Sequence, residues 1–180
     1  NYARPDIEEK IKIIEIEDGR HPIVEESLKH EASNFIPNNC SMSESRNLWL
    51  MTGPNMAGKS TFLRQVAITI LLNQIGCFVP AKAANLSIFD KIFTRIGASD
   101  NLSKGMSTFM MEMVETSRII NNATENSFVI LDELGRGTST QDGLAIAQSV
   151  LEHIQKNIKC LTLFATHYKE LSKLSENVSE

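Results

Sequence analysis

Leu48-Trp49-Leu50-Met51-Thr52-Gly53-Pro54-Asn55-Met56-Ala57-Gly58-Lys59-Ser60-Thr61, followed by Phe62 to Gln74, decides the fold. Leu48 to Met51 is a short apolar run, as expected of a strand buried on both faces of a parallel sheet. Gly53 to Ser60 then satisfies every fixed position of the phosphate-binding pattern G-x-x-x-x-G-K-[ST]. From Lys59 to Gln74, Phe62, Leu63, Val66, Ala67, Ile70 and Leu71 recur at helical spacing, and Gly76 is a C-cap candidate. A glycine-rich turn that merely joins strand to helix is the competing reading. In the phosphate-binding reading, the glycines let backbone N–H groups turn inward around phosphate oxygens at the positive end of a helix. Lys59 would reach the β- and γ-phosphates of ATP, and the Ser60 hydroxyl would take a coordination position on Mg²⁺.

Toward the C-terminus the alternation continues. The patterns predict a strand over Lys91 to Ile96, a helix over Phe109 to Asn122 and a buried strand over Phe128 to Leu131. A helix over Leu144 to Gln155 and a third buried strand over Leu161 to Ala165 follow. Strands alternating with helices at this spacing predict an α/β domain with a largely parallel sheet flanked by helices. Toward the N-terminus, Ile11, Ile13, Ile14 and Ile16 read as a small β unit ending at an Asp18-Gly19 turn. Glu26 to Ser45 reads as a polar surface loop interrupted by Phe35-Ile36.

Asp132-Glu133 closes the apolar run at Leu131. Adjacent carboxylates at the end of a buried strand are unfavourable unless a cation meets them or water reaches them. With Mg²⁺, Asp132 would hold the ion through water and Glu133 would orient and deprotonate the water attacking the γ-phosphate. His167 follows the last predicted strand; alone it reads as an ordinary core or surface histidine. Yet Lys59, Asp132 with Glu133, and His167 all fall at the carboxyl ends of predicted parallel strands, where ligands bind in open α/β sheets. His167 there could contact the γ-phosphate or the attacking water. Leu102 to Phe109 is a Ser/Gly loop leading into a helix, either an anion site or an ordinary serine cap. Gly135 to Gly143 reads as a flexible loop near a helix start.

The chain has 180 residues, 42% of them hydrophobic and 22% charged, enough to bury a core without staples. Its apolar runs are too short to cross a bilayer and no secretory leader is visible, so an intracellular location without a membrane partner is expected. Cys40, Cys77 and Cys160 are odd in number and scattered, predicting free thiols. A net charge of −4 gives no general footprint for phosphate backbones.

The sequence resembles the ATPase domain of the MutS family of DNA mismatch-repair proteins. The resemblance runs through Gly19 to Pro22, Thr52 to Thr61, Phe93 to Ala98, Ser107 to Met110, Asp132-Glu133, Gly135 to Gly143 and Phe164 to Tyr168. It implies a P-loop NTPase of ABC-ATPase type over residues 1–180, incomplete at its C-terminal end, working as a dimer with composite sites. By that resemblance Gly53, Pro54, Asn55, Met56, Ala57, Gly58, Lys59, Ser60 and Thr61 form the nucleotide loop. Ser60 and Asp132 hold magnesium, Glu133 is catalytic, and His167 senses the γ-phosphate. Phe35 stacks on adenine. Ser107 reaches the partner's nucleotide, with Ser103 as the alternative suggested by a partial likeness to the transporter signature. Arg136 and Asp142 fall in a loop crossing the dimer interface.

The resemblance further implies a homo- or heterodimer, mismatched double-stranded DNA and a MutL-type protein as partners. The mismatch-reading, lever, clamp and dimerisation segments are not found in these residues, so an excised portion of a longer chain is expected. A cytoplasmic or nucleoid location would follow for a bacterial source, and nucleus or mitochondrion for a eukaryotic one. The competing readings are a MutS paralogue of recombination, a transporter ATPase and a non-enzymatic interaction module.

Overall fold

A computed structural model describes residues 2–54, 57–96 and 108–172. The N-terminal half comprises β1 (Asp6–Glu8), β2 (Ile13–Gly19), α1 (Pro22–His30), β3 (Asn38–Ser43), β4 (Leu48–Thr52), α2 (Lys59–Gln74) and β5 (Ala83–Ser87). The remainder comprises β6 (Ile92–Arg95), α3 (Thr108–Asn122), β7 (Phe128–Asp132), α4 (Thr140–His153) and β8 (Leu161–Thr166). A π-helical turn at Ile154–Ile158 and a 3₁₀ turn at Lys169–Leu171 flank β8.

Two four-stranded sheets result. One is mixed, in the order β1-β5-β2-β3, and the other is wholly parallel, in the order β4-β8-β7-β6. The period-2 alternation of strand side chains shows how they stack. Phe128, Ile130, Leu161, Leu163 and Ala165 share one core with Leu63, Val66 and Ile70 of α2 and with Ile14, Ile16, Met42 and Leu86 of the mixed sheet. Val129, Leu131 and Phe164, from the other face, meet Ile119 of α3 and Ala147, Val150 and Leu151 of α4. Helix α2 is therefore enclosed between two sheets, and both faces of the parallel sheet are covered. That double covering explains why β7 and β8, whose residues are all buried, read as unbroken apolar runs. Strand β4, expected to be buried on both faces, is only half-buried because it lies at the edge of the sheet.

Helix α2 runs over the predicted residues, with Gly76 just past its end at φ +77°. The Gly76 and Cys77 amides close the end on Asn73 and Leu72 carbonyls. Three further expectations are corrected. The small N-terminal β unit is one strand of a four-stranded sheet, because β3 and β5 pair with β2 on either side and β1 pairs with β5. The stretch Glu26 to Ser45 is not one loop: it holds most of α1 and all of β3. Neither gives a clear pattern, since α1 buries no residue and β3 turns only Cys40 and Met42 inward. Helix α4 starts at Thr140 rather than Leu144, because Ser139 Oγ accepts the Asp142 amide at 3.2 Å and so caps it. Cys40, Cys77 and Cys160 are free, and burial pushes the Cys40 thiol up to about 12.

His21 caps α1 through Nδ1, which accepts the Val24 amide at 3.4 Å, and Pro22 opens the helix. Burial, helped by the nearby Arg64 charge, holds the His21 imidazole below its ordinary range. The folded chain thus binds a proton there less readily than the unfolded one. Stability from the neutral ring is complete above the unfolded value of about 6.5 and is lost as pH falls through the lower folded value. We expect the thermal midpoint to fall between about pH 7 and about pH 5.5, and His21→Asn, a cap that does not titrate, to flatten that slope. An equal slope in the variant would remove His21 as the cause.

Candidate functional site

In the parallel sheet Thr52 pairs with Thr166, and Asp132 with Ala165. The chain therefore leaves β4, β8 and β7 at the same edge, with β8 in the middle. This register brings the phosphate-loop motif, His167 and Asp132-Glu133 to one edge, although Gly53 and His167 lie about 110 residues apart in the chain.

The loop after β4 takes its shape from two glycines. Gly53 has φ +153° and Gly58 has φ +85°, with open space where a Cβ would stand. Backbone conformation rather than crowding therefore calls for glycine. Gly58 is the N-cap of α2, and neither a side-chain cap nor an acid occupies the first turn. The amides at this helix start could therefore take an anion. Lys59 Nζ donates to the carbonyls of Gly53 at 2.6 Å and Pro54 at 2.8 Å, so its charge lies over the loop. Ser60 and Thr61 follow in the first turn of the helix. Asn55 and Met56 lie outside the described residues, as do Ser103 and Ser107.

A cleft of about 840 Å³ extends from Gly58, Lys59 and Thr61 to Phe35 and Ile36, with Val24 and Leu28 of α1 on its wall. Such a cleft, apolar at one end and amide-rich at the other, suits a flat base attached to phosphates. Phe62, at the cleft, stacks on Trp49 with ring centroids 6.3 Å apart and planes 4° from parallel. Asn38 Nδ2 donates to Ile36 O at 3.1 Å and to Gln65 Oε1 at 3.3 Å, tying the Phe35 loop to α2.

Asp132 is 3% exposed, and its Oδ1 is buried without a hydrogen-bond partner. A bare carboxylate oxygen in a buried place suits a hydrated divalent cation, as the residue types suggest. Glu133 has φ +55°, the left-handed region that non-glycine residues seldom occupy. Its N–H donates to Ala165 O at 2.9 Å, and its Oε2 accepts from Arg136 Nη1 at 2.6 Å. His167 is exposed, with its ring 4.1 Å from that of Tyr168.

Residues that the sequence reading did not single out support this edge. Glu112 of α3 accepts the Gly135 amide at 2.8 Å, and Tyr168 Oη donates to Gly135 O at 3.0 Å. Arg95 Nη2 lies 3.7 Å from Glu112 Oε1, and Arg95 Nε 3.0 Å from Glu115 Oε2. Burial, reinforced by the Glu112 and Glu170 charges, pushes the Tyr168 hydroxyl up, so it is a donor at neutral pH. The signal for Glu112 lay in its position. Residues 112, 116 and 119 share the buried face of α3, and an acid on such a face demands a partner.

Comparison with known proteins adds a second line of observation. The family model for MutS domain V matches residues 49–180. The chain belongs to the MutS family. A DNA mismatch repair protein MutS from Rickettsia felis is 56% identical over 175 residues, covering 97% of this chain and 20% of that protein. One from Rickettsia bellii is 58% identical over 172 residues, covering 96% of this chain and 19% of that protein. The chain thus spans about a fifth of the length of these MutS relatives. The domain V match takes in Lys59, Asp132, Glu133 and His167, while Phe35 precedes it. Among the described residues, no helix of this MutS-family chain is long and apolar enough to cross a membrane.

Proposed function

We propose that the chain is the ATP-binding and ATP-hydrolysing module of a DNA mismatch-repair protein, a P-loop NTPase of ABC-ATPase type. The observation that carries this reading is the register that sets β4, β8 and β7 side by side with Lys59, His167 and Asp132-Glu133 at their ends. The adenine ring stacks on Phe35 in the 840 Å³ cleft. Phosphates lie along the loop from Gly53 to Thr61, where Lys59 turns from the loop carbonyls to the β- and γ-oxygens. Ser60 and Asp132 would hold Mg²⁺, which would neutralise charge on the phosphates.

Glu133 takes a proton from water as the water oxygen adds to the γ-phosphorus, and ADP leaves with the bridging oxygen. Arg136 engages Oε2 and leaves Oε1 to receive that proton. His167, between the two other groups, contacts the γ-phosphate and distinguishes ATP from ADP. In a MutS-type dimer Ser107 completes the partner's site, and nucleotide state is coupled to mismatched-DNA binding, sliding-clamp formation and recruitment of a MutL-type protein. The net charge of −4 suits DNA contact made by other parts of that assembly.

Equilibrium binding and turnover test the reading. Removing Mg²⁺ with a chelator is expected to stop hydrolysis. Phe35→Ala is expected to weaken ATP binding about tenfold, the value of one base–aromatic stack. Magnesium-independent turnover, or unaltered affinity in the variant, would overturn the assignment of those groups.

A further inference from the structure

The Gly135 peptide is held from both sides. Its N–H donates to Glu112 Oε1 at 2.8 Å, its carbonyl accepts from Tyr168 Oη at 3.0 Å, and both bonds are buried. Glu112 is 2% exposed and shares the inner face of α3 with Thr116 and Ile119. A carboxylate in that place is unfavourable compared with an apolar side chain of similar volume, even with Arg95 Nη2 at 3.7 Å. Packing therefore does not account for it; fixing a backbone amide does.

That amide is two residues beyond Glu133. The Glu133 N–H is itself pinned to Ala165 O at 2.9 Å, so the segment is tied down on either side of the left-handed φ at Glu133. A conformation seldom adopted by non-glycine residues persists only where its surroundings impose it. Arg136, which pairs with Glu133 at 2.6 Å, directly follows the held peptide. A Cβ on Gly137 would stand 2.9 Å from Phe109 Cβ, so the same loop also rests on the first turn of α3.

We propose that Glu112 is a positioning residue for hydrolysis: by holding the Gly135 amide it keeps Glu133, and Arg136 with it, aimed at the attacking water. This rests on the ATPase reading above. The discriminating requirement is the reach of one oxygen, not the presence of a charge. Glu112→Gln keeps Oε1 where the amide can find it and removes the charge facing Arg95. Glu112→Asp keeps the charge and withdraws the oxygen by one methylene.

Both variants are to be made in the full-length protein, with kcat and KM for ATP measured alongside the thermal midpoint, at a temperature where each is folded. Glu112→Asp is expected to lose about tenfold or more in kcat with KM for ATP within about twofold, and Glu112→Gln to stay within about threefold of the parent in both. The reverse order overturns the proposal. So do parent-like kcat values in both variants, or losses that follow the folded or ATP-bound fraction. A parent protein that does not hydrolyse ATP, with Mg²⁺ present, counts instead against the ATPase reading, and the positioning role falls with it.

Discussion

Glu133→Gln should bind ATP as the parent does and lose turnover by about a thousandfold, the scale of a positioned general base. The substitution keeps the shape of the side chain and leaves an oxygen able to accept from Arg136. What disappears is the ability to take a proton from water. Lys59, Ser60 and the loop amides are untouched, so affinity for ATP should remain. The left-handed φ of +55° belongs to the backbone and is pinned by the Ala165 and Glu112 contacts on either side, so the fold should tolerate an isosteric change. Single-turnover hydrolysis and equilibrium nucleotide binding check this together. Hydrolysis at the parent rate would transfer the base to another residue, and loss of ATP binding would make Glu133 a binding group.

Gly143→Ala should destabilise the fold by about 3 kcal/mol, through overpacking rather than lost chemistry. A Cβ at Gly143 would press on the Tyr168 hydroxyl and on the Gly135 carbonyl, the two atoms already joined by a buried hydrogen bond. Gly135 makes the reciprocal demand, since its own Cβ would stand 2.7 Å from Gly143 Cα. Alanine is the better helix former and Gly143 lies in the first turn of α4, so propensity alone would make the change stabilising. Contact decides the sign. For a domain of this size the thermal midpoint should drop by about 6–12 °C. A midpoint at or above that of the parent would show that the loop yields without strain.

Much of the site's placement was readable because parallel α/β folds impose a strict relation between strand ends and ligands. Three apolar runs, each followed by a polar group of definite chemistry, were enough to put Lys59, Asp132-Glu133 and His167 on one edge. The mixed sheet was harder. Strand β3 buries only Cys40 and Met42, and β5, Ala-Ala-Asn-Leu-Ser, is a strand because β1 and β2 pair with it on both sides. Such strands are made by tertiary pairing rather than by propensity. The Gly135 to Gly143 stretch misled in another way: its glycines look like flexibility in sequence but serve close approach in the structure. Phe35 was visible only through the family resemblance, since one aromatic in a polar stretch has no periodicity to place it.

The order of strands has a consequence for how the chain is made. Among the described residues strand β4 has a single neighbour in its sheet, β8, and about 110 residues of chain separate Leu48 from its partner Thr162. On a ribosome, the phosphate loop and α2 emerge long before the strand that completes their sheet. Until Leu161 to Thr166 is synthesised, β4 offers an unpaired apolar edge and the β6–β7 pair has no central strand to join it. Closure of the fold and assembly of the site are therefore one late event, governed by the arrival of β8, and the nascent chain before that moment is the form most exposed to misassociation.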